Sequence, residues 1–234
     1  MTYKTCYYAI HIDGEEWFYE KRKEITKKIH ETISNKIDRI DGESIKIFSF
    51  EDMHNFKKYN KKYNVFQDKS MYPVTDDQWL RTMGLWASNY LTLKKFLNSN
   101  YESIIIFEDD VELSENFVDG LYGLLDLLPR DWDLFVINNR RESDIYYQEE
   151  VHSLDNSDIC KNFYLFGSAC NVYSVNGAKK IVDYIENHGV YVAYDWALYH
   201  KQYGLYLKIF GINPNRKQIT KLISGVGSSL LNEW

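Results

Sequence analysis

The sequence predicts an α/β fold, a mostly parallel sheet flanked by helices. Three observations predict it. The chain opens with a β-α-β pattern, which favours parallel strands. Its clearest short apolar run, Ile104–Phe107, reads as a strand covered on both faces. Strand-like and helix-like segments then follow one another to the end, with no internal repeat. At 234 residues the chain fits one large domain, and without a composition break it is read as a single domain over 1–234. With 44% hydrophobic and 16% aromatic residues, a substantial core is expected and global disorder is not.

Tyr3–Ile12 is aromatic and β-branched and stops at Asp13-Gly14, which predicts the first strand. Glu15–Ile40 predicts an amphipathic helix, because Ile25, Ile29 and Ile33 recur at helical spacing among Lys and Glu. After the Asp41-Gly42 turn, Ser44–Phe50 (SIKIFSF) predicts the second strand. Glu51–Tyr72 is polar and weakly periodic, an irregular or helical insertion. Asp76–Leu97 predicts a helix, and Ile104–Phe107 the central strand. Ser114 is expected to cap a helix over Glu115–Leu128 that Pro129 ends. Trp132–Ile137 predicts a strand, Asn138–Ile159 a loop, and Phe163–Tyr173 a further strand. Helices over Asn176–Asn187 and Tyr194–Tyr203 and a late strand over Leu205–Ile212 precede a Ser- and Gly-rich tail.

Several function classes lose ground. The formal charge of −6 argues against nucleic acid as a partner, because phosphate backbones are held by clustered Lys and Arg. The three cysteines are odd in number and form no CxxC pair, so buried free thiols are expected rather than a zinc site. The first residues lack the apolar core of a signal peptide, and no run of about eighteen apolar residues occurs. A cytoplasmic protein without a transmembrane segment is therefore expected, with peripheral membrane contact left open. Walker, Rossmann, nucleophile-elbow and HExxH patterns are all absent.

The chemistry concentrates in Glu108, Asp109 and Asp110, directly after the central strand. In open α/β sheets ligands bind beyond the carboxyl ends of strands. Side-chain alternation in extended backbone puts Glu108 and Asp110 on one face and Asp109 on the other. Two carboxylates on one face suit a hard cation such as Mn²⁺ or Mg²⁺, which can bridge a diphosphate. Taken alone, the same residues are read sooner as a helix cap or a solvent-facing turn.

Ile104–Phe117 (IIIFEDDVELSENF) closely resembles the strand-EDD-helix signature of glycosyltransferase family 25, the lipopolysaccharide-type galactosyltransferases. Leu128–Ile137, Phe166–Ile181 (FGSACNVYSVNGAKKI), Ala193–Trp196 and Leu207–Gln218 resemble its later blocks in the same order. The resemblance implies a GT-A-type, Rossmann-like domain and a hexose transferred with inversion from a UDP-sugar, commonly UDP-galactose. It also implies Mn²⁺ or Mg²⁺ and a glycan or glycoconjugate acceptor. Glu108 and Asp110 become the metal candidates, and Asp109 and Asp110 the sugar-nucleotide contacts. Asp195 becomes the candidate base, a position that an N-capping aspartate would also explain. The family's Gly-Glu-x-Gly…Ser-His helix reads here with Gly84 and Ser88 in place, but with Thr82 for Glu and Asn89 for His; the Arg after the first strand is at best Arg22. These departures leave a second reading, a sugar-nucleotide or glycan-binding relative without turnover. Asn138, Asn139, Gly167 and Ser168 are weaker candidates for the acceptor side. Arg216, Lys217 and His200 are read as ordinary surface positions, and Trp132 and Trp196 as core.

Overall fold

The computed structural model describes residues 4–11, 17–47, 49–59, 75–137, 152–153, 158–161, 168–199, 204–213 and 218–222. In order these form β1 (Thr5–Ala9), α1 (Trp17–Ile33), β2 (Asp38–Arg39), α2 (Phe50–Tyr59), α3 (Asp76–Leu97), β3 (Ser103–Phe107), β4 (Val111–Leu113) and α4 (Phe117–Leu125). There follow β5 (Leu134–Val136), β6 (His152–Ser153), β7 (Ile159–Lys161), β8 (Cys170–Ser174), α5 (Val175–His188), α6 (Tyr194–Tyr199), β9 (Ile209–Ile212) and β10 (Thr220–Leu222).

Eight strands make one sheet in the order β2-β1-β3-β8-β5-β9-β7-β6. The β1–β2, β1–β3 and β5–β9 pairs are parallel. The β3–β8, β5–β8, β7–β9 and β6–β7 pairs are antiparallel. Most strands therefore share one direction, and β8 and β7 run against it. β4 and β10 form a separate antiparallel ribbon.

The central strands are apolar on both faces because both are covered. Ile104 and Ile106 of β3 join the core under α3, α5 and α6, while Ile105 and Phe107 join the core under α1 and α4. β5 divides the same way, Leu134 and Val136 to one side and Phe135 to the other. Ile25, Ile29 and Ile33 bury the apolar stripe of α1 in the second core. α3 begins at a capping box in which Thr75 and Gln78 exchange side-chain-to-backbone hydrogen bonds.

Some expectations are corrected. Of Ser44–Phe50, the described residues 44–47 and 49 form no strand; the second strand is the two-residue β2, and α2 starts at Phe50. The cause lies on α3. Ser88 Oγ accepts the Ile45 N–H at 2.7 Å, and Thr92 Oγ1 accepts the Glu43 N–H at 3.0 Å, so helix side chains satisfy this backbone instead of a sheet neighbour. A Cβ on Gly84 would lie 2.8 Å from the Ile45 carbonyl oxygen, so glycine admits the segment. Ser114 does not cap a helix side-chain-first. It directly follows strand β4, donating its N–H to Ile219 O and accepting the Phe117 N–H at its carbonyl, while α4 starts after Asn116. The expected loop over Asn138–Ile159 includes β6 and the start of β7. Asn138, Asn139, Gly167, His200, Arg216 and Lys217 lie outside the described residues. Among the described residues, no helix is long and apolar enough to cross a membrane.

Candidate active site

β1 and β3 end side by side, and β8 begins beside them because it runs the opposite way. The Ile10 N–H donates to Phe107 O, and the Glu108 N–H donates to Ala169 O, both at 2.8 Å. The backbone at Glu108 is thereby locked to the start of β8. β3 stops at Phe107, and Asp109 and Asp110 form a turn that delivers the chain into β4. Asp109 and Glu108 find partners on different elements around this turn.

Asp109 is 5% exposed. Its Oδ1 accepts Arg22 Nη1 of α1 at 2.9 Å, and its Oδ2 lies 3.4 Å from His11 Nδ1 just beyond β1. Asp109 therefore ties the turn to α1 and β1. Glu108 turns toward β8 and accepts a hydrogen bond from the Ser168 hydroxyl. Its carboxyl group is pushed up to about 8, first by desolvation and then by the charge of Asp110; Asp109 and Asp195 add to the effect and the Ser168 hydrogen bond opposes it. Asp110 is half-buried, with Oδ1 withdrawn from solvent.

Asp195 stands in the first turn of α6, half-buried, and its Oδ1 accepts the Trp196 N–H at 2.9 Å. It lies near enough to Glu108 to act on that carboxyl group. Helical spacing explains its direction. Asp195 and Tyr199 are one turn apart on one face, and Tyr199 Oη reaches Asn171 of β8 at 3.4 Å. Trp86 of α3 holds the approach to α6, donating Nε1–H to Val192 O at 2.8 Å and meeting Tyr194 edge-on at 4.7 Å.

Glu108 thus sits in the negative field of Asp110, Asp109 and Asp195, and Asp109 is in addition ion-paired with Arg22. Among the described residues, no three His, Cys, Asp or Glu side chains form a ready-made metal cage. The donor set still fits Mg²⁺ or Mn²⁺, because such ions are commonly held by one or two carboxylates and completed by water and phosphate oxygens. Glu108 and Asp110 are the side chains that would hold the ion, and its positive charge would relieve the repulsion between them.

The two departures from the family pattern are bonded within α3. Thr82 Oγ1 donates to Gln78 O at 2.9 Å and Asn89 Nδ2 to Leu85 O at 3.0 Å, both within α3. Trp132 is buried, and Trp196 packs at the edge of the core. Sequence reasoning missed the roles of Arg22, His11 and Ser168. Arg22 carried a signal, since it precedes Ile25 by three positions and Ile29 by seven. That spacing puts a charged residue on the buried stripe of α1. Ser168 is expected on the acceptor side and not on Glu108, and His11 carried no signal, because both contacts arise only when β1, β3 and β8 assemble.

Residues 18–196 match the model of glycosyltransferase family 25, described as an LPS biosynthesis protein family. No curated protein matches the chain. Among solved structures, the chain is similar to a glycosyltransferase involved in the glycosylation of the major capsid of PBCV-1, at 9% identity and a TM-score of 0.46 over 96% of this chain and 95% of that one.

Proposed function

The chain belongs to glycosyltransferase family 25, and from that premise we propose that it is a metal-dependent, inverting hexosyltransferase using a UDP-sugar. Membership makes it a glycosyltransferase working between a sugar donor and a glycan acceptor. The nucleotide, the hexose (galactose or glucose), the metal, the stereochemistry and the base are the finer parts of the proposal. What supports them is the place of Glu108 and Asp110 directly beyond the carboxyl end of β3 and the influence of Asp195 on the Glu108 carboxyl group.

Asp195 takes the proton of the acceptor hydroxyl as that oxygen attacks the anomeric carbon. The bond from that carbon to UDP breaks on the opposite face, and its electron pair leaves with the diphosphate. A Mn²⁺ or Mg²⁺ held there would supply charge neutralisation to the leaving diphosphate. Glu108 and Asp110 hold that position, Ser168 orients Glu108, and Arg22 and His11 fix the turn through Asp109. Asp109 is occupied by these partners, so its proposed part in sugar-nucleotide binding is to shape the turn that Asp110 presents.

A thermal-shift panel of UDP-, GDP- and CMP-sugars with and without Mn²⁺ tests this directly. UDP-galactose or UDP-glucose with Mn²⁺ raises Tm by mass action, and Asp110→Ala loses both the shift and UDP release while remaining folded. A panel without any shift, or an Asp110→Ala protein with wild-type turnover, contradicts the proposal.

A further inference from the structure

Behind the carboxylates lies a buried polar cluster that donor and metal chemistry leave unused. Asn171, Tyr173, Tyr194 and Tyr199 are all at most 1% exposed. Tyr194 Oη donates to Tyr173 Oη at 3.0 Å, and Asn171 Nδ2 donates to Tyr173 Oη at 3.3 Å and to Tyr199 Oη at 3.4 Å. Burial raises the phenols of Tyr173 and Tyr194 well above their ordinary range, so both remain protonated. Burying four polar side chains has a desolvation cost that apolar packing would avoid, and such networks fix one arrangement more than they add stability.

The network joins two elements, β8 through Asn171 and Tyr173 and α6 through Tyr194 and Tyr199. Its two α6 members bracket Asp195, one directly before it and one a helical turn after it. Directly before β8, Ser168 and Ala169 bind the carboxylate and the backbone of Glu108. One short piece of chain, 168–173, therefore anchors both Glu108 and the helix that carries Asp195.

We propose that the Asn171–Tyr173–Tyr194–Tyr199 network is a positioning device that fixes Asp195 relative to Glu108 and Asp110. It acts on turnover and not on donor affinity. The inference rests on Asp195 as the base, and the experiment separates the two ideas.

Tyr194→Phe, Tyr199→Phe and the double variant are compared with Asp195→Asn and with Tyr90→Phe. The Tyr90 hydroxyl is bonded to Glu186 at 2.6 Å, outside the network. UDP release from UDP-galactose with Mn²⁺, water serving as acceptor, gives kcat and KM. Hydrogen exchange compares α6 amides with α5 amides and needs no turnover. The double variant is expected to lower kcat by about ten- to a hundredfold, as small displacements of a reacting group do. Donor KM changes less than about twofold, α6 loses protection while α5 keeps it, and Tyr90→Phe changes neither. Wild-type α6 protection in the double variant overturns the positioning role. Unchanged kcat beside an inactive Asp195→Asn also overturns it and leaves the base intact. Full turnover by Asp195→Asn removes the base itself and the catalytic purpose of the network with it.

Discussion

Asp133 and Glu108 close opposite ends of the same sheet, Asp133 just before β5 and Glu108 just after β3. Asp133 is 1% exposed, and its Oδ2 accepts Lys180 Nζ and, at 2.8 Å, the Lys208 N–H. Its carbonyl oxygen accepts the Ser174 N–H, and a Cβ on Gly177 would overlap that carbonyl, so α5 starts directly on this corner. Glu108 instead accepts the neutral Ser168 hydroxyl and feels Asp110, Asp109 and Asp195. A carboxylate paired with a cation secures the fold; a carboxylate set among others holds charge that a bound cation would relieve. The amino end of the sheet thus carries a carboxylate neutralised by a lysine, and the carboxyl end a crowded acidic turn.

The largest expected contrast is in rate. Asp195→Asn lowers UDP release by about 10²–10⁴-fold, the range for a lost general base, with donor affinity kept. Asp133→Asn leaves kcat within about threefold, because it acts only through the fold. Equal loss of rate in the two variants breaks the division between the ends.

The second contrast is in pH. Burial and the neighbouring Asp110 hold Glu108 at about 8 in the folded protein against an ordinary value of 4.5. A raised folded pKa favours the protonated form, so this contribution is complete below the unfolded pKa and is lost as pH rises through the folded one. Metal-free protein should therefore lose Tm between about pH 5 and about pH 8. Glu108→Gln flattens that fall, and Mn²⁺ opposes it. The same pH profile in wild type and Glu108→Gln contradicts the assignment.

Stability separates the ends more modestly. Asp133→Ala leaves the Lys208 N–H without its acceptor and should cost about 1–3 kcal/mol in urea unfolding, with Lys180 free to turn to solvent. Glu108→Gln should cost little or stabilise at high pH. The smallest effect belongs to α3. Ser88→Ala removes the acceptor of the Ile45 N–H and should lower stability by about 1 kcal/mol while UDP release is unchanged. A loss of turnover there would tie the family's Gly-Ser helix to chemistry and not to docking of the 43–47 segment.

The central strands and α3 were legible because their signals are local. Ile104–Phe107 is apolar on both faces, and α3 occupies Asp76–Leu97, the limits its pattern predicts. β2, β6, β7 and β10 were not legible, since two or three residues become a strand only through a partner. Ser44–Phe50 failed for the opposite reason: its strand-like pattern was claimed by hydroxyls on α3. At the site, the sequence pointed to the acidic turn and to Asp195 as candidates. The division of labour inside that turn depended on partners from α1, β1 and β8, remote in sequence, and only Arg22 announced itself by its spacing.

The claim that the carboxyl end of the sheet is a metal-assisted donor site is tested most directly by calorimetric titration of UDP-galactose and UDP-glucose into wild type and Asp110→Ala, with Mn²⁺ and with EDTA. Binding of at least one donor by wild type that requires Mn²⁺ and disappears in the folded Asp110→Ala protein is the predicted result. Binding of equal strength in EDTA, or in Asp110→Ala, would contradict it.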